Sequence, residues 1–223
     1  MIPLGQKYRE DFPRFGLPDY AKRFPTRLND QSITIKVNQS AEVEISDVFA
    51  DLSRTSTQAD FHCVTTWTYP NAKWSGVKFV DFFQKHITHL DSQSNQIVGA
   101  ILYAQDGYKT TLLIEDLLND NVMLADTLNG HPLTIEHGAP LRLVAPEHYG
   151  YKNLKYLSKI EFYSTMPVVK RGIRAFLDHP RARVQKEERG RWFPGWLLRY
   201  IYRQLIPSTV KEFKQAMKEH KNI

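Results

Sequence analysis

Period-two alternation marks the first ordered stretch of the chain. In Ser32-Ile33-Thr34-Ile35-Lys36-Val37-Asn38 the β-branched apolar residues face one way and the polar residues the other, which predicts a half-buried strand. Val43-Glu44-Ile45 predicts a short second strand, and Ser46 has the character of an N-cap for a brief helix over 46–52. Residues 61–67 have strand composition, with Phe61, Cys63, Thr65 and Trp67 on one face and His62, Val64 and Thr66 on the other. Tyr69-Pro70-Asn71-Ala72 reads as the turn that ends it. The spacing of Val80, Phe83 and Ile87 predicts a helix over 80–89, and the apolar run 96–103 an interior strand. Asp106-Gly107 then marks a hairpin into 109–114, and Asn129-Gly130 a second tight turn. A short strand within 137–146 lies between proline-containing turns, 149–157 is a loop, and 160–164 is the closing strand.

The flanks differ from this centre. Residues 1–31 carry Phe12-Pro13-Arg14-Phe15-Gly16-Leu17-Pro18 and Phe24-Pro25, a composition that favours an extended arm over a helix. Beyond residue 168, Arg171, Arg174, Arg181, Arg183, Lys186, Arg189 and Arg191 run through a stretch poor in apolar residues. Trp192-Phe193-Pro194-Gly195-Trp196-Leu197-Leu198-Arg199-Tyr200-Ile201-Tyr202-Arg203 follows. The expected organisation is an arm over 1–31, an α+β domain over 32–168, and a helical, basic and aromatic extension over 169–223 packed on or beside it.

Composition narrows the picture. With 42% hydrophobic residues among 223, the chain can bury one sizeable core. A formal charge of +6 suits anionic partners such as phosphates, acidic lipid or nucleic acid, though charge alone does not call for nucleic acid. No run approaches the roughly 18 apolar residues of a membrane span, and Met1-Ile2-Pro3-Leu4-Gly5-Gln6-Lys7 lacks an export signal core. The expectation is a cytoplasmic protein with peripheral contact to a membrane.

Cys63 is the single cysteine. It cannot form an internal disulfide, so it fills core, acts as a nucleophile or ligates a metal. A nucleophile needs a base. His62 points to the opposite face of a strand, and His137 could approach only through the fold. One thiolate cannot fill a tetrahedral zinc site, but it suits a metal held mainly by a cofactor that brings its own soft ligands. A second dense stretch offers an anion site. Arg142, Lys152 and Lys155 are interleaved with Gly138, Gly150, Pro140 and Pro146, and glycine lets backbone amides approach an anion closely. Opposite charges about 4 Å apart interact by roughly 4 kcal/mol at an effective dielectric of 20. The alternative is a solvated basic loop.

Together the two stretches resemble a known family. Asp60-Phe61-His62-Cys63-Val64-Thr65-Thr66-Trp67, with Trp74-Ser75-Gly76-Val77, is similar to the molybdenum-ligand segment of the sulfite oxidase superfamily, in its molybdopterin-binding oxidoreductase domain. His137-Gly138-Ala139-Pro140-Leu141-Arg142-Leu143-Val144-Ala145-Pro146, then Tyr149-Gly150-Tyr151-Lys152-Asn153-Leu154-Lys155-Tyr156-Leu157, resembles the pterin-phosphate segment. Asp106-Gly107-Tyr108-Lys109-Thr110-Thr111 matches between them. The resemblance spans about residues 30–165 and is closer to the single-domain bacterial branch, which includes the catalytic subunit of a methionine sulfoxide reductase. The chain departs from the family in having Trp67-Thr68 where Trp-Ser is usual, and in lacking room for the separate dimerisation domain of sulfite oxidases.

The resemblance implies a mixed-sheet, sulfite-oxidase-type fold and a molybdopterin-type molybdenum cofactor. It implies Cys63 as the thiolate on molybdenum, and Arg142 and Lys155, with the backbone around Asn153 and Leu154, as holders of the pterin phosphate. His137 would contact the cofactor, and His62 would face either the cofactor or the core. The implied chemistry is a two-electron oxo or oxygen-atom transfer on a small-molecule substrate, with a separate electron donor or acceptor that is itself membrane-associated. The competing expectation is a family member without catalysis that holds the cofactor or binds a partner. The aromatic basic tail fits either a helix packed on the domain or a surface for anionic lipid or a redox partner.

Overall fold

A computed structural model describes residues 2–90, 96–169 and 178–221 of the chain, so Arg171 and Arg174 of the basic stretch lie outside the described residues. Eleven strands, β1 (Lys7–Tyr8), β2 (Ile33–Val37), β3 (Val43–Ile45), β4 (Arg54–His62), β5 (Trp67–Lys78), β6 (Gly99–Ala104), β7 (Lys109–Leu113), β8 (Met123–Leu128), β9 (His131–Pro132), β10 (Arg142–Val144) and β11 (Leu157–Tyr163), form two sheets. Three α-helices accompany them among the described residues: α1 (Phe79–His86), α2 (Ile114–Leu117) and α3 (Gly195–Lys221). The five-stranded sheet runs β3-β2-β11-β6-β7, with β11 parallel to β2 and antiparallel to β6. The six-stranded sheet runs β1-β5-β8-β10, with β4 added to β5 and β9 to β8. The architecture is mixed α+β, with a C-terminal helix.

The alternating positions of β2, β6 and β11 (Ile33, Ile35, Val37, Ala100, Leu102, Ile160, Phe162) are buried in one core with Phe79, Phe82 and Phe83 of α1 and Val77 and Leu124 of the other sheet. β11, expected as the closing strand, is the centre of its sheet. Leu157, Ile160 and Phe162 are its buried residues, and the break in alternation between Leu157 and Ile160 falls at a register shift against β6.

Three expectations are corrected. Residues 61–67 are not one strand: β4 ends at His62, β5 begins at Trp67, and 63–66 are the turn between them. Thr66 has φ 78°, a conformation that a β-branched residue rarely adopts and that no strand permits. Tyr69-Pro70-Asn71-Ala72 does not end the strand, because β5 runs through it. The register shifts between Ala59/Phe61 opposite this stretch, and at that bulge Asn71 (φ 55°) donates its amide to the Asp60 carboxylate at 2.9 Å. Proline is tolerated at such an irregularity, where no ladder hydrogen bond is needed from it. Finally, 46–52 is a series of turns ending at Asp51 (φ 52°), with no helix after Ser46.

Gly150 shows how tightly the loop before β11 is seated. Its amide donates to His62 O at 2.7 Å, and a Cβ there would stand 2.4 Å from Cζ of Phe61. Gly150→Ala therefore forces the Phe61 ring out of its cluster and should destabilise the fold by about 1–3 kcal/mol. Chemical denaturation checks this; an unchanged midpoint would show that Phe61 yields freely.

Candidate active site

The turn at the head of the β4–β5 hairpin presents Cys63, and each of three turn carbonyls is fastened from outside the hairpin. The side chain of Gln6 donates to Cys63 O (3.1 Å), the amide of Lys7 to Thr66 O (3.0 Å) and Nη1 of Arg189 to Val64 O (2.6 Å). Arg189 is fully buried, stacks 5.0 Å from the Tyr149 ring, and also donates to Leu4 O and the Glu187 carboxylate. Within the turn, Cys63 N–H donates to Trp67 O (2.8 Å) and Thr66 N–H to Cys63 O (3.2 Å). The strained Thr66 is thus over-determined by its surroundings, the condition under which such conformations persist.

Cys63 is buried among Phe61, Trp67, Phe12 and Phe15, and its Sγ lies 3.1 Å from the Thr65 hydroxyl. Burial pushes the thiol up from its ordinary value, against the Thr65 hydrogen bonds and the fields of Arg189 and Lys155. Neither candidate base touches it. His62 Nδ1 is 2.9 Å from Thr68 Oγ1, which donates to Gln6 Oε1, so His62 supports the Gln6 contact to the turn instead of reaching the sulfur. His137 has Nε2 3.1 Å from Phe12 O and Nδ1 3.0 Å from Thr134 Oγ1. A carbonyl only accepts, so Nε2 carries the proton and Nδ1 accepts from Thr134. Burial and the nearby Lys155 and Arg142 hold His137 down at about 4, so the ring is neutral. A cysteine hydrolase therefore has no base on its nucleophile.

A cavity of about 510 Å3 opens over the turn, within the size range of small-ligand and cofactor sites. Cys63, Asn153, Leu154 and Lys155 all line it, together with Arg14 and Phe15 of the arm and Ile201 and Phe213 of α3. The fold thus brings together four of the seven residues expected from the sequence. It leaves three behind the wall: His62, His137 and Arg142. The Arg142 guanidinium, fully buried, donates to the carbonyls of His137 (2.6 Å), Asn153 (3.1 Å) and Leu143 (3.4 Å) and lies 4.6 Å from the Trp74 ring. Three of its five N–H groups hold the two loops together, and its side chain is not part of the cavity lining. Lys152 is likewise turned away, donating to Thr111 O at 2.8 Å. Gly138 (φ 110°) lets the loops close, since a Cβ there would stand 3.1 Å from Lys155 Cβ and 3.2 Å from Arg142 Cβ.

The floor is electropositive. Burial, then Arg142 and Arg14, push Lys155 well below the ordinary ammonium range, and burial brings Arg142 down to about 9. The nearby Asp106 is itself pushed up by burial. Lys155 Nζ donates to Glu136 O at 2.6 Å, leaving further donors for an anion. Arg14, buried by the arm, donates to Ala21 O, Tyr20 O and Arg23 O and to the Tyr156 hydroxyl. Beside Cys63 the indole Nε1 of Trp67 is buried with no hydrogen-bond partner among the described residues. A thiol, an unsatisfied donor and a cationic floor within one cavity fit a ligand that carries a soft metal at one end and an anionic group at the other. No three His, Cys, Asp or Glu converge on a metal site among the described residues, so any metal here has to bring most of its own ligands. Gln6, Arg14 and Arg189 were not singled out from the sequence; the signal was present only as isolated polar residues in the arm and in the arginine run.

These features fit a domain that holds an anionic, metal-bearing cofactor. The family model for the oxidoreductase molybdopterin-binding domain matches residues 24–168, and the chain belongs to that family, within the sulfite oxidase superfamily. The cofactor of the family is a molybdenum cofactor, and a molybdenum-dependent redox role follows. The chain is similar to the uncharacterized oxidoreductase YuiH of Bacillus subtilis (strain 168), 38% identical over 109 residues, covering 49% of this chain and 52% of YuiH. It is also similar to the protein-methionine-sulfoxide reductase catalytic subunit MsrP of Xanthomonas campestris pv. campestris, 30% identical over 115 residues, covering 47% of this chain and 35% of MsrP. The match thus spans about half or less of the length of these curated relatives. The fold resembles that of the sulfane dehydrogenase SoxCD from Paracoccus pantotrophus, with a TM-score of 0.54 at 18% identity over 65% of this chain and 41% of that one.

Two outcomes follow from this geometry. Arg189→Met leaves the Val64 and Leu4 carbonyls without this donor and leaves the Glu187 carboxylate with Arg199 alone, and should cost about 1–3 kcal/mol in a denaturant titration. His137 binds a proton in the unfolded chain below about 6.5 but in the folded chain only near 4, so its contribution to stability falls as pH drops through that window. His137→Gln should flatten the loss of melting temperature between pH 6.5 and 4; an identical slope would remove His137 from the cause.

Proposed function

We propose that this chain is an oxo-transfer oxidoreductase in which Cys63 supplies the one protein ligand to molybdenum. Lys155 and the backbone around Asn153 and Leu154 hold the anionic end of the pterin. The observation that carries this reading is the convergence of the Cys63 thiol and the Lys155 ammonium on the walls of one cavity. When bound, the cofactor supplies a two-electron centre able to pass an oxygen atom to or from a small substrate.

The residues of the chain then have distinct tasks. Burial raises the Cys63 thiol in the free protein; it would hold the metal as a thiolate, its proton released to solvent, and the Thr65 hydroxyl at 3.1 Å would then donate to the sulfur. Gln6, Lys7 and Arg189 keep the turn fixed, so the sulfur does not relax away. Asn153 accepts the Ala145 amide (2.8 Å) and donates to Ala145 O and His148 O, which sets the loop that presents Lys155. Arg142 and His137 act behind the wall as positioning groups. Phe12, Phe15 and the side chains of α3 keep the cavity apolar above the turn and limit the access of water. The substrate is a small molecule, and electrons reach or leave the site through a separate redox partner.

Protein purified from a host that makes the cofactor should contain close to one molybdenum per chain by elemental analysis and release a fluorescent pterin on denaturation. Cys63→Ser should abolish turnover with an artificial electron donor while the circular dichroism spectrum stays unchanged. Lys155→Met should weaken pterin retention by about tenfold or more, as expected for losing a charge-assisted hydrogen bond. Wild-type protein free of both metal and pterin from that host would sink the assignment.

A further inference from the structure

The outward face of α3 has a composition that the cavity beneath it does not require. On a helix of 3.6 residues per turn, Trp196, Tyr200, Arg203, Lys211, Lys214, Lys218 and Lys221 fall on one side. Every one of them is exposed, Trp196 at 56% and Tyr200 at 69%. Trp192, 66% exposed, and Arg191 extend the same cluster just before the helix. The stripe contains no acid. The two glutamates of α3 lie on another flank, Glu212 lining the cavity and Glu219 paired with Lys22 at 3.0 Å. The buried face is fixed by Leu198, Tyr202, Thr209, Phe213, Ala216 and Met217, so the helix cannot roll to hide the stripe.

We propose that this stripe docks the protein on the surface of a membrane rich in anionic lipid. From Trp196 to Lys221 the stripe runs roughly 40 Å along the helix, past Pro207, and its charges stand in one row opposite a layer of negative headgroups. Trp and Tyr at its N-terminal end are the residues that settle at a bilayer interface, with the apolar ring in the acyl boundary and the polar edge in the headgroups. Aromatics flanked by cations make binding depend both on area buried and on lipid charge. No described helix is long and apolar enough to cross a membrane, so the contact is peripheral. Docking through α3 would hold the cavity on the opposite flank of the same helix at a fixed height above the bilayer. The proposal does not depend on the cofactor.

Co-sedimentation of the full chain with vesicles tests it. Binding should be strong to phosphatidylcholine mixed with phosphatidylglycerol, weak to phosphatidylcholine alone, and should fall with added salt. Each of Lys211→Gln, Lys214→Gln and Lys218→Gln should lower the partition coefficient about fivefold. Trp196→Ala should lower it about tenfold and remove part of the blue shift in tryptophan emission. All four positions are exposed, and an unchanged melting temperature shows that each variant still folds. Absence of binding to the anionic vesicles overturns the proposal. So does equal binding to neutral ones, indifference to the lysine substitutions, or tighter binding to an oligonucleotide or polyglutamate than to vesicles, since those results assign the stripe to another polyanion.

Discussion

The Val64 carbonyl, held at 2.6 Å by a buried arginine 125 residues further along the chain, is the contact on which the site depends. A four-residue hairpin head has too few internal hydrogen bonds to fix a cysteine, and Thr66 sits in a backbone conformation it would leave if released. Arg189 from the C-terminal segment and Gln6 and Lys7 from the N-terminal arm remove that freedom. The central domain alone, residues 24–168, contains none of these three. A boundary drawn around the family match would therefore cut through the support of Cys63, although the cysteine itself lies well inside it.

Electrostatics set the second constraint. Arg14, Arg142 and Lys155 are crowded around the cavity floor with Asp106 as a weak counterweight; burial, then Arg142 and Arg14, lower the affinity of Lys155 for its proton, while burial does so for Arg142. Charges removed from water are costly unless paired, and here backbone carbonyls carry much of that pairing: Arg14 and Arg142 together donate to six carbonyls. Such an arrangement keeps the cations in place in the absence of an anion and lowers the reorganisation needed when one arrives.

Much of the fold was legible because local and tertiary preferences agreed. β2, β3 and the β6–β7 hairpin around Asp106-Gly107 fall where alternation and turn chemistry place them. The misread segments are those where a remote contact overrides the local pattern. Phe61 to Trp67 has the composition of a strand, yet the Arg189 and Gln6 contacts bend it into a turn. Tyr69-Pro70 looks like a strand end, yet the bulge opposite it absorbs the proline. At the site, the pairing of Cys63 with Lys155 was legible from two dense motifs. The role of Arg142 was not, because a basic residue near glycines gives no sign of whether its fork will meet a ligand or a carbonyl. Arg189 was invisible as a site residue, because its sequence neighbours are other arginines that stay on the surface.

The fastening of the hairpin also ties both flanks of the chain to one point. Gln6 and Lys7 from one flank and Arg189 from the other meet on the four residues around Cys63. The two flanks therefore share one load, and a protease cut in either of them would be felt at the cysteine, although neither flank contains it.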